Sequence, residues 1–308
     1  LDVNVRNIFR VVDFFFRKSR LLATSKYVFL NDNFMPMAFC NFKEDAVVTQ
    51  LWHAEGAFKR FGLAIEQPES VRKNEIACNK RLNFAVCSAK AVIPIYAQAF
   101  GLRYGQVLPL GAPRADYLLK EGNAENARKK LEMLYPALKG KRAVLYAPTF
   151  RDTKEENEKL LSHFDFELFK KEFDEEYVLF VRLHPQIHEK TALPPFAFDV
   201  TDYKDVRELV LACDALVTDY SSICMDFSLL SKKTVFFAFD EEKYTKDRNF
   251  CFDYKTELPG GIAKTTGEVI ELLRAEFDAE KNEKFRRRNF DFFDCNSAKR
   301  VADAVIEK

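Results

Sequence analysis

The stretch DVRELVLACDALVTDYSSICMDFSLLSKKTVFFAFD, Asp205 to Asp240, decides the fold. It reads as helix, strand, helix, strand, with Ala215 to Thr218 a short buried strand and Ser221 to Leu230 an apolar helix following at once. That is the βαβ crossover from which parallel sheets are built. At the break between strand and helix stand Thr218, Asp219, Tyr220, Ser221 and Ser222, a run of polar side chains beside the free backbone N–H groups of a helix start. Such an end binds anions, phosphate above all, and in an open α/β sheet ligands collect outside the carboxyl ends of the strands. The plain alternative is an ordinary helix cap, in which Asp219 or a serine satisfies orphan N–H groups and binds nothing.

Working outward, the second half of the chain repeats the pattern. Arg142 to Ala147 is a strand that closes on Thr149, Arg151 and Asp152, and Tyr177 to Leu183 is a strand that closes on Arg182 and His184. Several strands of one sheet therefore deliver cationic or donor groups to one edge, and charges at buried strand ends are unfavourable unless something pairs them. An anionic ligand is the inference from that convergence. His184 and His188 stand four apart, the spacing of two zinc ligands on a helix, but Pro185 breaks the helix they would need and no Glu lies between them. Phe196 to Val200 is a further strand; after Asp240 comes a long aromatic loop containing Arg248, and then two charged helices from Thr266 onward. Asn296 or Ser297 is the expected cap of the last helix.

Before this half lie strands at Tyr27 to Leu30, Asp45 to Trp52, Phe84 to Ser88 and Val107 to Leu110, with helices at 68–81 and Ala89 to Phe100. Alternation without a hairpin signal again means a parallel α/β unit. The second strand ends in LWHAEGAFKRFG, so His53 stands on a strand-to-loop edge where side chains meet ligands, or serves there as a structural histidine. Lys59 and Arg60 come next, suited to a nearby phosphate or to solvent. Residues 1–26 read as an amphipathic helix with six basic residues against Asp2 and Asp13. That pattern suits an anionic membrane surface, and it equally suits a helix covering a sheet, the reading we prefer. The polar, helical segment 117–141 reads as a linker, dividing the chain into 1–116, 142–290 and a C-terminal helix at 291–308.

Composition closes off other classes. The 308 residues are 47% hydrophobic and 31% charged with a net charge of +1, which is no nucleic-acid-binding polycation. Seven Cys are scattered without a Cys-x-x-Cys pair and read as reduced core residues of a cytoplasmic protein. Neither G-x-G-x-x-G nor a P-loop occurs among only 10 Gly. No apolar run approaches the length that crosses a bilayer.

Taken in order, WHAEGAFKRFG, YAPTFRD, VRLHP, the DYSS turn with FFAFDEEKY, and RNFCFDYKTELPGG resemble the CDP-glycerol glycerophosphotransferases, which include teichoic-acid primases and polymerases of bacterial cell walls. Each motif is weak; the ordered set, from about Tyr27 to the end, is specific. The resemblance implies a GT-B-like architecture, two Rossmann-like domains with parallel sheets facing a central cleft, the donor held mainly by the second. It implies transfer of an alditol phosphate from CDP-glycerol, or alternatively CDP-ribitol, to a lipid-linked polymer acceptor with release of CMP, peripherally at the cytoplasmic face of the plasma membrane; a nucleotide-sugar glycosyltransferase and a non-catalytic nucleotide-binding protein are the rival readings. By motif, His53 corresponds to the general base; His184, grouped with it as catalytic, and Arg182 correspond to donor-phosphate contacts. Thr218, Asp219, Ser221 and Ser222 correspond to the remaining pyrophosphate binders, with Thr149 and Arg151 as helpers. No metal and no cofactor is implied. In the commoner form of the first motif the histidine is followed by Gly-Thr-Pro; here Ala54, Glu55 and Gly56 stand after it. The resemblance implies a further first strand and helix in a complete N-terminal half, which this chain is expected to lack.

Overall fold

The computed structural model describes residues 14–184, 187, 193–247 and 250–307. Two wholly parallel sheets organise them. The first has β1 (Tyr27–Leu30), β2 (Val47–Gln50), β3 (Phe84–Cys87) and β4 (Val107–Pro109) in sequential order. Its helices are α1 (Ser19–Thr24), α2 (Glu69–Asn79) and α3 (Ile93–Phe100). Pro94 sits in the first turn of α3, where a missing N–H costs nothing, and Gly101 ends the helix in the left-handed region at φ 66°. Pro109 is tolerated because β4 is an edge strand.

The second sheet holds β5 (Arg142–Ala147), β6 (Tyr177–Val181), β7 (Ala197–Asp199), β8 (Ala215–Thr218), β9 (Lys233–Phe237) and β10 (Gly261–Ala263) in the order β10-β9-β8-β5-β6-β7. From β5 the chain builds outward through β6 and β7, then returns and builds the other way from β8. The loops after β5 and β8 therefore diverge, and the crevice between them is where doubly wound sheets take ligands. Register holds the two ends level, with Ala147 beside Thr218. Helices α4 (Pro113–Leu119), α5 (Asn123–Leu134), α6 (Lys154–Lys159), α7 (Phe166–Phe173), α8 (Val206–Ala212), α9 (Ile223–Leu229), α10 (Glu241–Asp247), α11 (Thr266–Arg274) and α12 (Ala279–Asn289) belong to this half. The strand segments are buried on both faces, which is why they read as short unbroken apolar runs. The GT-B-like expectation of two parallel sheets about a cleft describes this arrangement.

The segment 117–141 is largely helical, as its composition suggests, and Ala127 and Leu131 of α5, four apart on one face, are buried in the core of the second sheet. Arg128 on the same helix ties Asp214 and the Lys141 carbonyl to it. The stretch after Asp240 starts as α10 rather than loop. The last helix, α13 (Ser297–Val305), crosses back to the first sheet, where Val301 and Val305 pack on Val86. Its start is capped neither by Asn296 nor by Ser297: the Asp116 carboxylate of α4 accepts from the Ser297 and Ala298 N–H groups at 2.9 and 2.7 Å. In the basic N-terminal segment, residues 1–13 lie outside the described residues. Of its remainder, α1 buries no residue, and Phe16 and Leu21 are 78% and 57% exposed, so covering the sheet falls only to the half-buried Leu22.

Candidate functional site

A cavity of about 450 Å³ opens where the loops after β2, β5, β6 and β8 converge between the sheets. His53, Thr149, Arg182, His184, Ser221 and Ser222, six of the nine residues singled out from sequence, line it. Thr218, Asp219 and Arg151 do not; they form the structure behind its wall.

The physical reason lies in their partners. The Thr218 hydroxyl donates to the Ala147 carbonyl at 2.6 Å, fastening β8 to β5. Asp219, 1% exposed, accepts from the Thr149 and Tyr220 N–H groups at 2.8 and 2.6 Å, so it holds the β5 loop against the β8 turn instead of facing a ligand. Arg151 is 7% exposed and gives Nη2 to Asp219 at 2.9 Å and Nε to Asp240 at 2.6 Å. With Nη1 on the Thr149 carbonyl and Nη2 also on Asp240 Oδ1, four of its five N–H donors are engaged behind the wall; its own pKa is raised by the two carboxylates against the opposing effect of burial. Tyr220 completes the network, its hydroxyl donating to Asp240 at 3.0 Å. At the turn, Ser221 Oγ accepts from the Ile223 N–H at 3.4 Å, a weak cap that leaves α9 starting at Ile223.

The wall facing the cavity is cationic. Arg182 donates Nη1 to the Val200 and Tyr203 carbonyls at 2.8 and 2.9 Å, and no carboxylate pairs with it among the described residues. Burial lowers its pKa, and the more distant Asp202 only partly opposes that. His184 leans on Phe150, ring centroids 4.6 Å apart, and its pKa is lowered by burial and then by Lys59. Lys59, from the loop after β2, donates Nζ to the Tyr244 hydroxyl at 2.8 Å and so joins the two halves across the cavity. Thr149 adds a buried hydroxyl with no partner among the described residues.

His53 comes from the opposite side. Its loop begins with Trp52 at φ 62°, an uncommon backbone for a non-glycine residue and a mark of functional sites. Trp52 is held there by stacking on Phe61 at 4.7 Å and by its N–H, which donates to Gln50 Oε1. The Tyr96 hydroxyl bonds the Ala54 and Gly56 carbonyls, Ser88 Oγ accepts from the Gly56 N–H, and Asn289 Oδ1 from the Ala57 N–H. Gly56 is required: φ is +59°, and a Cβ there would lie 2.7 Å from Asn289 Oδ1. The loop is thus fixed while His53 stays half-exposed, its Nδ1 3.6 Å from Asp32 Oδ1. That distance is longer than a hydrogen bond, and the pair becomes ionic when His53 takes up a proton.

Three wall residues had no role in the sequence reading: Glu55, Arg114 and Asp226. Only Glu55 had left a trace, as a departure in the first motif. His188 and Arg248 lie outside the described residues, and among the described residues no three His, Cys, Asp or Glu side chains gather as metal ligands. Of the cysteines, Cys78, Cys87, Cys213 and Cys224 are buried, with burial pushing the Cys87 and Cys213 thiols to about 12, while Cys295 is exposed. No helix among the described residues is long and apolar enough to cross a membrane.

The model of the family described as CDP-glycerol:poly(glycerophosphate) glycerophosphotransferase matches residues 4–307. A teichoic acid poly(ribitol-phosphate) polymerase of Bacillus spizizenii is 32% identical over 92% of this chain and 47% of its own length. A teichoic acid glycerol-phosphate primase of Bacillus subtilis is 28% identical over 92% of this chain and 74% of its own. The chain thus spans about half the length of the first relative. Among solved structures, a variant of the wall teichoic acid polymerase TagF soaked with CDPG superposes with a TM-score of 0.79 at 25% identity, covering 92% of this chain and 72% of that one.

Proposed function

Because the chain belongs to the CDP-glycerol:poly(glycerophosphate) glycerophosphotransferase family, we propose that it moves an alditol phosphate from a CDP-alditol to a hydroxyl of a lipid-linked teichoic-acid or capsule polymer, releasing CMP and using no cofactor. The observation that carries this reading is the meeting, in one cavity, of His53 and Lys59 from the loop after β2 with Arg182 and His184 from the second half. The acceptor hydroxyl gives its proton to His53 as its oxygen bonds to the phosphorus that bears the alditol. The bond from that phosphorus to the oxygen of CMP breaks, and CMP departs with the electron pair. Asp32 supports the imidazolium so formed. The cations, the Thr149 hydroxyl and the Ser221–Ser222 turn meet charge on the transferred group and the leaving CMP, which is where phosphoryl transfer needs it.

Glycerol is the donor polyol first suggested by the motifs. Ribitol now has the better support, because the ribitol-phosphate polymerase is the more similar of the two relatives described. For the membrane, the supporting feature is the exposed pair Phe16 and Leu21 among Arg17, Lys18 and Arg20, apolar and basic groups together in one stretch of the chain. We place the enzyme there peripherally, on the inner face of the plasma membrane; sedimentation with anionic but not neutral vesicles checks it.

The deciding experiment measures CMP release from CDP-ribitol and from CDP-glycerol with a lipid-linked acceptor. Release with one donor, lost by a factor of about 100 or more in His53→Ala while CDP still binds, is the expected result. EDTA in the assay leaves the rate unchanged. A His53→Ala protein as active as its parent would overturn the assignment of the base.

A further inference from the structure

Glu55 lies two residues beyond His53 and is 4% exposed; Asp226, on α9 of the other half, is 3% exposed. A single cation stands between them. Arg114 of α4 donates Nη2 to Asp226 Oδ2, while its Nε remains 3.5 Å from Glu55 Oε1. As an ionised carboxylate Glu55 would accept from no donor among the described residues with either oxygen. Two carboxylates against one guanidinium leave an unmatched negative charge out of reach of water, and Asp116 of α4 adds to it. Nothing else nearby relieves it. The Tyr96 hydroxyl of α3 is committed to the Ala54 and Gly56 carbonyls, the Cys224 thiol beside Asp226 is pushed up by burial, and Asp205 acts on Arg114 from the start of α8.

We propose that Glu55 is a neutral carboxylic acid that donates its proton to the Asp226 carboxylate, and that this bond positions the His53 loop against the helix that comes after the Thr218–Ser222 turn. The Glu55 carboxyl is driven well above the usual carboxylate range, first by burial and then by Asp226. The pairing is the familiar one of two close carboxyl groups that cannot both ionise. The other fastenings of the loop, to Ser88, Tyr96 and Asn289, orient its backbone; Glu55 is the side chain that ties it to α9. An ionised Glu55 would also leave one unbalanced negative charge beside Arg114 in the wall of a cavity read as binding the pyrophosphate of a CDP-alditol. The role in catalysis rests on the transferase reading; the proton does not.

Glu55→Gln keeps the shape and the donor and cannot ionise. It should retain turnover toward that of the parent while removing the parent's loss of kcat on the alkaline side. Glu55→Ala should lower kcat by on the order of 100-fold at little change in CDP affinity, as displacement of a positioned base does. Infrared spectra of the parent at neutral pH should carry the C=O stretch of a protonated carboxyl that is missing from Glu55→Gln. Because the folded-state carboxyl is raised, the parent loses stability relative to Glu55→Gln as pH rises from the ordinary carboxylate range. Absence of the infrared band, or a Gln variant as impaired as the Ala variant, overturns the proposal. A protein that shows the band but turns over no CDP-alditol refutes the transferase reading and leaves the shared proton standing.

Discussion

Arg151 and Arg182 leave adjacent strands of one sheet toward the same edge, yet the structure gives them opposite parts, and replacing each by Met separates the two. Arg151→Met strips the buried Asp219 and the partly buried Asp240 of their shared cation. Breaking a buried pair from one side typically costs about 3–5 kcal/mol. Asp240 recovers some hydration because its side chain is 22% exposed, and Asp219 keeps two N–H donors, so we expect the low end, about 3 kcal/mol. Arg182→Met removes bonds to two carbonyls and strands no charge, for about 1–2 kcal/mol. Binding should rank them the other way. A lost charge-assisted contact to phosphate, about 1.5–3 kcal/mol, weakens CDP by about 10- to 150-fold in Arg182→Met. Urea unfolding monitored by circular dichroism reads stability. Trp52, the only tryptophan in the sequence and part of the cavity wall, reads CDP binding by fluorescence. Adding Asp219→Asn to Arg151→Met should recover part of the lost stability, since it removes a charge the arginine no longer balances. The reasoning is refuted if Arg151→Met unfolds at the parent's urea midpoint, or if both variants weaken CDP equally.

Gly56→Ala must take a left-handed backbone and displace Asn289, at about 2 kcal/mol, and CMP release should fall more than CDP affinity because the His53 loop moves. His184 is held below the ordinary imidazole value, so it is neutral in the empty site at neutral pH. An anion against it raises that value, so CDP binding takes up a proton and strengthens as pH falls toward and below the ordinary imidazole value of about 6.5. Calorimetry in two buffers of different ionisation enthalpy measures the uptake, and His184→Asn should abolish it. In stability the sign is opposite: the unfolded chain binds the proton more readily, so this histidine's contribution is lost as pH drops through the same range.

The strands were readable because parallel sheets bury both faces, so Leu145 or Val217 sits in a run with no polar interruption. β10 was not: Gly261–Ala263 is three residues, too short for any periodicity. The edge that gathers ligands was readable from the polar residues just past the end of each strand, and His53, Arg182 and His184 do meet there. The sequence did not reveal which polar residues at that edge face each other instead. Asp219 and Asp240 are read locally as a cap and a strand end, and only the fold brings Arg151 between them, across separations of 68 and 89 residues. Glu55 was hidden for the same reason, since its burial depends on α4 and α9. The segment 117–141 reads as polar because α5 buries only Ala127 and Leu131, with charged residues and the exposed Met133 and Leu134 around them.

The return of α13 to the first sheet has a mechanical consequence. The chain passes between the halves near Leu110 to Pro113 and again near Phe290 to Asn296, and these two passages are fastened to one another. The Leu110 carbonyl accepts from Arg300 at 2.8 Å, Asp116 holds the start of α13, and a Cβ on Gly111 would lie 2.4 Å from Ser297 Oγ. Two separate tethers would allow the halves to twist and slide; two tethers riveted together act as one hinge pin. Opening of the cleft about that pin would have to break the bonds that cross it beside the His53 loop, from the Ala57 N–H to Asn289 and from Lys59 to Tyr244.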